Sequence, residues 1–162
     1  MKGKDAREVE IEALYRHSFR AFARGATALM RDGEAALDVV QEAFAIALRR
    51  RGSFRGEGDL EAWLWRIVIN VARDRGRARR RELRPLPLLR ALETESDSND
   101  DDIRALLFAL PERQRLAIFL RYYADLSYAQ IAEVLGVSSG TVSASITTAR
   151  QALRHQLQEV TP

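Results

Sequence analysis

Between Ser127 and Leu153 the order of residues leaves little choice of local structure. Ser127-Tyr128-Ala129-Gln130 has the form of a capping box, in which the serine hydroxyl accepts from the amide of Gln130 and the glutamine side chain reaches back to the serine amide. The helix it starts holds Ile131, Ala132, Val134 and Leu135 and is cut off at Gly136, which can adopt the left-handed conformation that a tight interhelical turn requires. Val137 is expected to plug the core. Ser138 or Ser139 then caps a further helix in which Val142, Ile146, Ala149 and Leu153 form one stripe. Small Ala132 before the turn, Gly136 in it and Val142 after it suit two helices crossing steeply at close range, the second left free for a major groove. The pattern predicts a helix-turn-helix.

The outward positions of the second helix are Ser139, Thr141, Ser143, Ala144, Ser145, Thr147 and Thr148, with Arg150 as the first cation. Charge-assisted contacts to phosphate and guanine are therefore scarce, and weak duplex affinity is expected from this segment alone.

Upstream, three-and-four apolar spacing marks more helices. Ile11, Leu14, Tyr15, Phe19 and Phe22 form the stripe of a first helix within Glu8 to Arg31, with a break expected near Gly25. A second begins around Glu34, buries Leu37, Val40, Phe44, Ala47 and Leu48, and ends in Arg49, Arg50, Arg51 and a C-terminal Gly52. The glycines of Gly52-Ser53-Phe54-Arg55-Gly56-Glu57-Gly58-Asp59 argue for a loop turning tightly around Phe54. A third helix runs from about Leu60 through Arg79 with Trp63, Leu64, Ile67, Val68 and Val71 inward, and grades into a positive patch of Arg73, Arg75, Arg77, Arg79, Arg80, Arg81 and Arg84. Pro85 and Pro87 stop helical order, and the acidic, aperiodic run from Glu93 to Asp102 reads as a solvated linker. Pro111 suits the first position of a helix reaching Tyr123, with Leu116, Phe119, Leu120 and Tyr123 buried. There is no β-strand pattern, internal repeat or long heptad array. The expected fold class is all-α: a helical domain over 8–84, a flexible acidic linker over 85–102 and a helix-turn-helix domain over 103–159.

A chain of 162 residues that is 46% hydrophobic can fill two small cores. The net charge is only +3, yet the arginines crowd into one stretch, so the mean conceals a strong local field. No run approaches the roughly 18 apolar residues of a membrane span, and Met1 to Glu10 carries charges where a signal peptide is apolar. A cytoplasmic location without membrane insertion is expected. With no cysteine there is no thiolate site, and His17 and His155 lie far apart in sequence, so no metal, cofactor or catalytic residue is expected.

Two sets of motifs occur in order. The first is Asp38-Val39-Val40-Gln41-Glu42-Ala43-Phe44, Phe54-Arg55-Gly56, and Trp63-Leu64-Trp65-Arg66-Ile67 with Asn70 and Asp74. The second is Leu110-Pro111-Glu112-Arg113-Gln114-Arg115, Leu120-Arg121-Tyr122, and Leu126-Ser127-Tyr128 running to Gly140-Thr141-Val142. Together they resemble the extracytoplasmic-function (ECF) sigma factors, bacterial promoter-specificity subunits that keep only regions 2 and 4. The resemblance covers nearly the whole chain and implies an RNA polymerase sigma factor directing promoter recognition, local DNA melting and transcription initiation. Core RNA polymerase and promoter DNA would be its partners. The chain stops soon after its last helix, so regulation is expected from outside, by an anti-sigma factor.

By the same resemblance, the helix with Asp38, Gln41 and Glu42 docks on core polymerase. At helical spacing Asp38 and Glu42 point away from the apolar stripe, a pattern shared with any solvated face. The minus-ten reader would comprise Phe54, Arg55, Gly56, Trp65, Arg66, Asn70, Arg73, Asp74 and Arg77. Holding a base outside the stack needs an amide, an aromatic surface and backbone cations, which Asn70, Phe54 or Trp65, and the arginines can supply. Trp63 is expected in the core, whereas Trp65 lies off the stripe and is open to either placement; Asp74 either touches DNA or pairs with Arg77. The minus-thirty-five element would be met as duplex by Ser139, Thr141, Ser143, Ala144, Ser145, Thr147, Thr148 and Arg150. The family commonly has basic residues where Ser143 and Ser145 stand, so apolar contact from Ala144 or Thr147 with thymine methyls and shape readout would have to compensate. The acidic linker suits either basic surroundings in the polymerase or a plain tether.

Two rival readings differ in class. A self-sufficient helix-turn-helix regulator would bind duplex tightly without polymerase, which the charge-poor recognition helix disfavours. A metal-dependent nuclease using Asp97 and Asp100 to Asp102 is weaker still, because those carboxylates lie in a tract with nothing to position them.

Overall fold

The computed structural model describes residues 2–82 and 105–160, and every regular element among them is helical. The chain divides into two compact units, the boundary falling between residues 91 and 92. Arg84, Pro85, Pro87 and the acidic run from Glu93 to Asp102, with the carboxylates of the nuclease reading, lie outside the described residues.

In the first unit α1 (Lys2–Met30), α2 (Gly33–Arg49) and α3 (Leu60–Glu82) each pack against the other two. The break expected at Gly25 is absent: α1 continues through it. A single interior glycine costs a helix only about 1 kcal/mol relative to alanine, and burial of neighbouring Phe22 and Ala26 offsets it. The turn into α2 falls at Arg31, which is left-handed at φ 57° although not glycine. Asp32 then caps α2, its carboxylate accepting from the Ala35 amide at 3.1 Å. At the centre Phe22 meets Phe44 edge-on at 5.1 Å and Trp65 at 4.4 Å between ring centroids.

Two stripes are turned relative to the sequence reading. In α2 the buried residues are Ala36, Val39, Val40, Ala43, Phe44 and Ala47, while Leu37 is 41% exposed. Alanines along this seam let α1 approach closely, which a leucine would prevent. In α3 the buried set is Ala62, Leu64, Trp65, Val68, Ile69, Val71 and Ala72. Trp65 is 1% exposed, whereas Trp63 is only half-buried, against Phe54 at 5.5 Å. The core arc of α3 is wide because both α1 and α2 cover it, so it extends past the narrower stripe that periodicity picks out. Gly52 does not cap α2 in a left-handed conformation; the chain tightens into a 3-10 turn at Arg51–Ser53, closed by the Ser53 amide and hydroxyl on the Arg50 carbonyl.

The second unit comprises a helical segment over 105–109, α4 (Glu112–Tyr122), α5 (Tyr128–Leu135) and α6 (Ser139–Val160). Pro111 stands just before α4 rather than in its first turn. Buried Arg115 donates to the carbonyls of Phe108 at 3.2 Å and Leu110 at 3.0 Å, tying the segment to α4. Tyr123, expected in the core, is 53% exposed and lies flat on Phe119. The chain turns at Asp125, φ 53°, and puts Leu126 inside instead, its amide bonded to the Leu120 carbonyl at 3.0 Å.

The helix-turn-helix forms as its residues dictate. Both bonds of the Ser127–Gln130 capping box are made, at 2.7 and 3.2 Å, and Gly136 is left-handed at φ 66° and ψ 38°. Ser138, not Ser139, caps α6, accepting from the Thr141 amide at 3.1 Å. Val142, Ile146 and Ala149 are buried; Leu153 and Val137 are only half-buried.

Candidate nucleic-acid interface

Helical phase sorts the crowded arginines of α3 into two groups. Arg75 and Arg79, one turn apart, face α2 and are consumed there: Arg75 Nε donates to Glu42 at 2.7 Å with Asp38 at 3.9 Å, and Arg79 bonds Asp32 at 2.8 Å. The Asp32 carboxyl is accordingly held below its ordinary value, first by the Arg79 hydrogen bond and then by the Ala35 amide. Arg66, Asn70, Arg73 and Arg77 follow one another at four, three and four residues on the opposite, outward side, spanning about 16 Å of helix. Asn70 is exposed at the middle of this row. Asp74 pairs with Arg77 one turn on, the arrangement expected of a helix surface.

The loop ahead of α3 adds to the same end. Gly56 and Gly58 have φ 78° and 94°, conformations that a side chain would strain. Arg55 and Gly56 are exposed, but Phe54 is only 9% exposed, with Trp63 beside it and the Arg7 guanidinium 4.6 Å from its ring centroid. Neither aromatic named from the sequence, Phe54 or Trp65, thus offers a free face for stacking a base. For Trp65 this is a correction: its ring fills the core against Phe22. Burial raises the Glu61 carboxyl above its ordinary value, and Asp59 adds to the rise. Trp63, expected in the core, is the aromatic left partly open beside the loop.

On α2, Asp38 and Gln41 are exposed and Glu42 is half-buried. Leu37 stands among them, so this face has an apolar element as well as its polar ones. Asp38 and Glu42 already share Arg75.

On α6 the outward line is Ala144, Thr147 and Thr148, with Ser139 and Arg150 also exposed. Thr141, Ser143 and Ser145 flank it, half-buried, and the Thr141 hydroxyl is engaged with Ser138 at 2.9 Å. No His, Cys, Asp and Glu grouping among the described residues could hold a metal ion.

Both units match known families. The Sigma-70 region 2 family matches residues 14–82, and the Sigma-70, region 4 family matches residues 100–153. The ECF RNA polymerase sigma-E factor of Escherichia coli (strain K12) is 35% identical over 139 residues, covering 75% of this chain and 73% of that protein. The chain is an ECF RNA polymerase sigma factor. This sigma factor is also 36% identical over 146 residues to the RNA polymerase sigma-H factor of Pseudomonas aeruginosa, covering 78% of this chain and 75% of that one. Among solved structures, the sigma factor RpoE bound to the anti-sigma factor NepR from Bartonella quintana aligns with a TM-score of 0.75 at 25% identity, over 94% of this chain and 99% of the other. CnrH in complex with the cytosolic domain of CnrY gives 0.73 at 27% identity, over 93% and 89%.

Proposed function

We propose that the first unit, expected over 8–84, opens and holds the minus-ten strand while the second, expected over 103–159, seats on the minus-thirty-five duplex, with core RNA polymerase supplying all of the chemistry. The outward row Arg66, Asn70, Arg73 and Arg77 carries this reading. Its cations can track a strand backbone, and its one amide stands where a base edge can be read. Arg55 and Gly56 approach from the loop, and Asp74 serves to orient Arg77. Core polymerase docks on the face of Asp38, Gln41 and Glu42. Ser139, Thr141, Ser143, Ala144, Ser145, Thr147, Thr148 and Arg150 meet the duplex, with hydroxyl and methyl contacts in place of charge. The protein acts in the cytoplasm; among its described residues no helix is long and apolar enough to cross a membrane. An anti-sigma factor restrains it, as NepR accompanies RpoE in the Bartonella structure.

The test combines core polymerase with the protein and maps transcript 5′ ends from a genomic library. A defined set of start sites is expected, and Asn70→Ala abolishes it while leaving polymerase binding nearly intact. Equal loss of both refutes the separation of roles. Tight duplex binding without polymerase would instead favour the self-sufficient regulator.

A further inference from the structure

The first three turns of α1 precede residue 14, where the match to region 2 begins, yet Arg7 and Glu8 within them grip the loop between α2 and α3. Arg7 lies over the Phe54 ring at 4.6 Å. A Cβ placed on Gly56 would come within 3.8 Å of Arg7 Nη2, so the guanidinium also lies against the left-handed turn of that loop. Glu8 pairs with Arg51 at the loop's entry at 3.3 Å, and Glu10 pairs with Arg7 at the same distance. Phe54 is therefore clamped between a cation on one helix and Trp63 on another, and the same guanidinium backs the first of the two glycines that follow.

We propose that Arg7 is a positioning residue for promoter opening: by stacking on Phe54 and backing Gly56, it holds the loop so that Arg55 and the adjoining backbone are presented to the minus-ten strand. The inference rests on the minus-ten reading of the first unit. Preorganisation matters here because two glycines otherwise leave the loop many conformations, and ordering it on DNA would be subtracted from binding. The contact costs little to make, since the guanidinium keeps a solvent-facing edge and its charge is balanced by Glu10.

The experiment uses core polymerase carrying the full chain on a promoter found by start-site mapping, with 2-aminopurine in the minus-ten element reporting strand opening. Arg7→Ala is expected to slow opening roughly three- to tenfold, the scale of a lost cation–π contact. It should also flatten the preference among minus-ten base substitutions, with polymerase affinity unchanged and the thermal midpoint lowered by no more than a few degrees. Arg7→Lys should fail to rescue, because an ammonium keeps the charge but not the planar stack. In a Phe54→Leu background Arg7→Ala should add nothing. Full rescue by lysine would overturn the proposal in favour of a simple phosphate contact. Unchanged opening and base preference, or a matching fall in polymerase affinity, would overturn it as well. Arg55→Ala and Asn70→Ala run in parallel separate two failures. If these variants abolish opening and Arg7→Ala does not, only the bracing role falls; if they too are silent, the minus-ten reading falls with it.

Discussion

The helices that carry the two DNA readings, α3 and α6, are nearly equal in length, 23 and 22 residues, and opposite in surface chemistry. The outward row of α3 sets Arg66, Arg73 and Arg77 around one amide, whereas α6 sets hydroxyls and methyls ahead of its first arginine, Arg150. On the proposed division of labour, the contrast follows from what each helix would have to overcome. A strand drawn out of a duplex has lost its partner and stacking, so charge and specific hydrogen bonds must replace them. An intact duplex needs only a complementary helix in its groove, and a helix-turn-helix held rigid by its caps supplies that shape. On the proposed function, weak duplex affinity would keep the protein from settling on DNA without the polymerase.

The largest effect expected from breaking this contrast is structural. Trp65→Ala should cost the first unit about 3–5 kcal/mol in denaturant unfolding, as removal of a fully buried ring does. A loss below about 1 kcal/mol would return that ring to the DNA-reading surface.

Exchanging charge between the two helices should move salt dependence in opposite directions. Replacing Arg66, Arg73 and Arg77 with alanine should lower the log–log salt slope for minus-ten strand binding by about 2, at ~0.7 per lost phosphate contact on a single strand. Ser143→Arg with Ser145→Arg should raise duplex affinity and steepen its slope by up to about 2. Equal slopes for the original helices would erase the distinction drawn here.

The turn that sets α6 is worth less. Gly136→Ala forces a side chain into the left-handed region and should destabilise the second unit by about 1–2 kcal/mol, read as a fall in its thermal midpoint.

The smallest effect is a pH response confined to the first unit. Asp32 is held below its ordinary value of 3.8, so its contribution is complete above that value and is lost as pH falls through the lowered one. Asp32→Asn keeps a capping acceptor but discards the charge paired with Arg79, and should flatten the acid limb of the stability curve slightly. Glu61 acts oppositely: its value is raised by burial, so stability is lost as pH rises from its ordinary 4.5 through the raised value. Glu61→Gln should remove that second slope.

Where bonding is local, the residue order by itself determined the outcome. The Ser127–Gln130 box, the left-handed Gly136 and the all-helical class depend on neighbours within a turn, whose spacing the backbone fixes. Only the tertiary structure decided which tryptophan is buried, that Leu37 and Tyr123 face outward, and which arginines of α3 turn toward α2. Those outcomes depend on the width of the buried arc and on what each partner helix presents. Two helices packing on α3 widened its arc to take in Trp65, and carboxylates at Asp32, Asp38 and Glu42 drew in Arg79 and Arg75 from residues more than thirty positions away. Arg7 lay furthest beyond reading, since nothing near it in sequence signals a loop that begins some forty residues later and becomes its neighbour only when α1 packs.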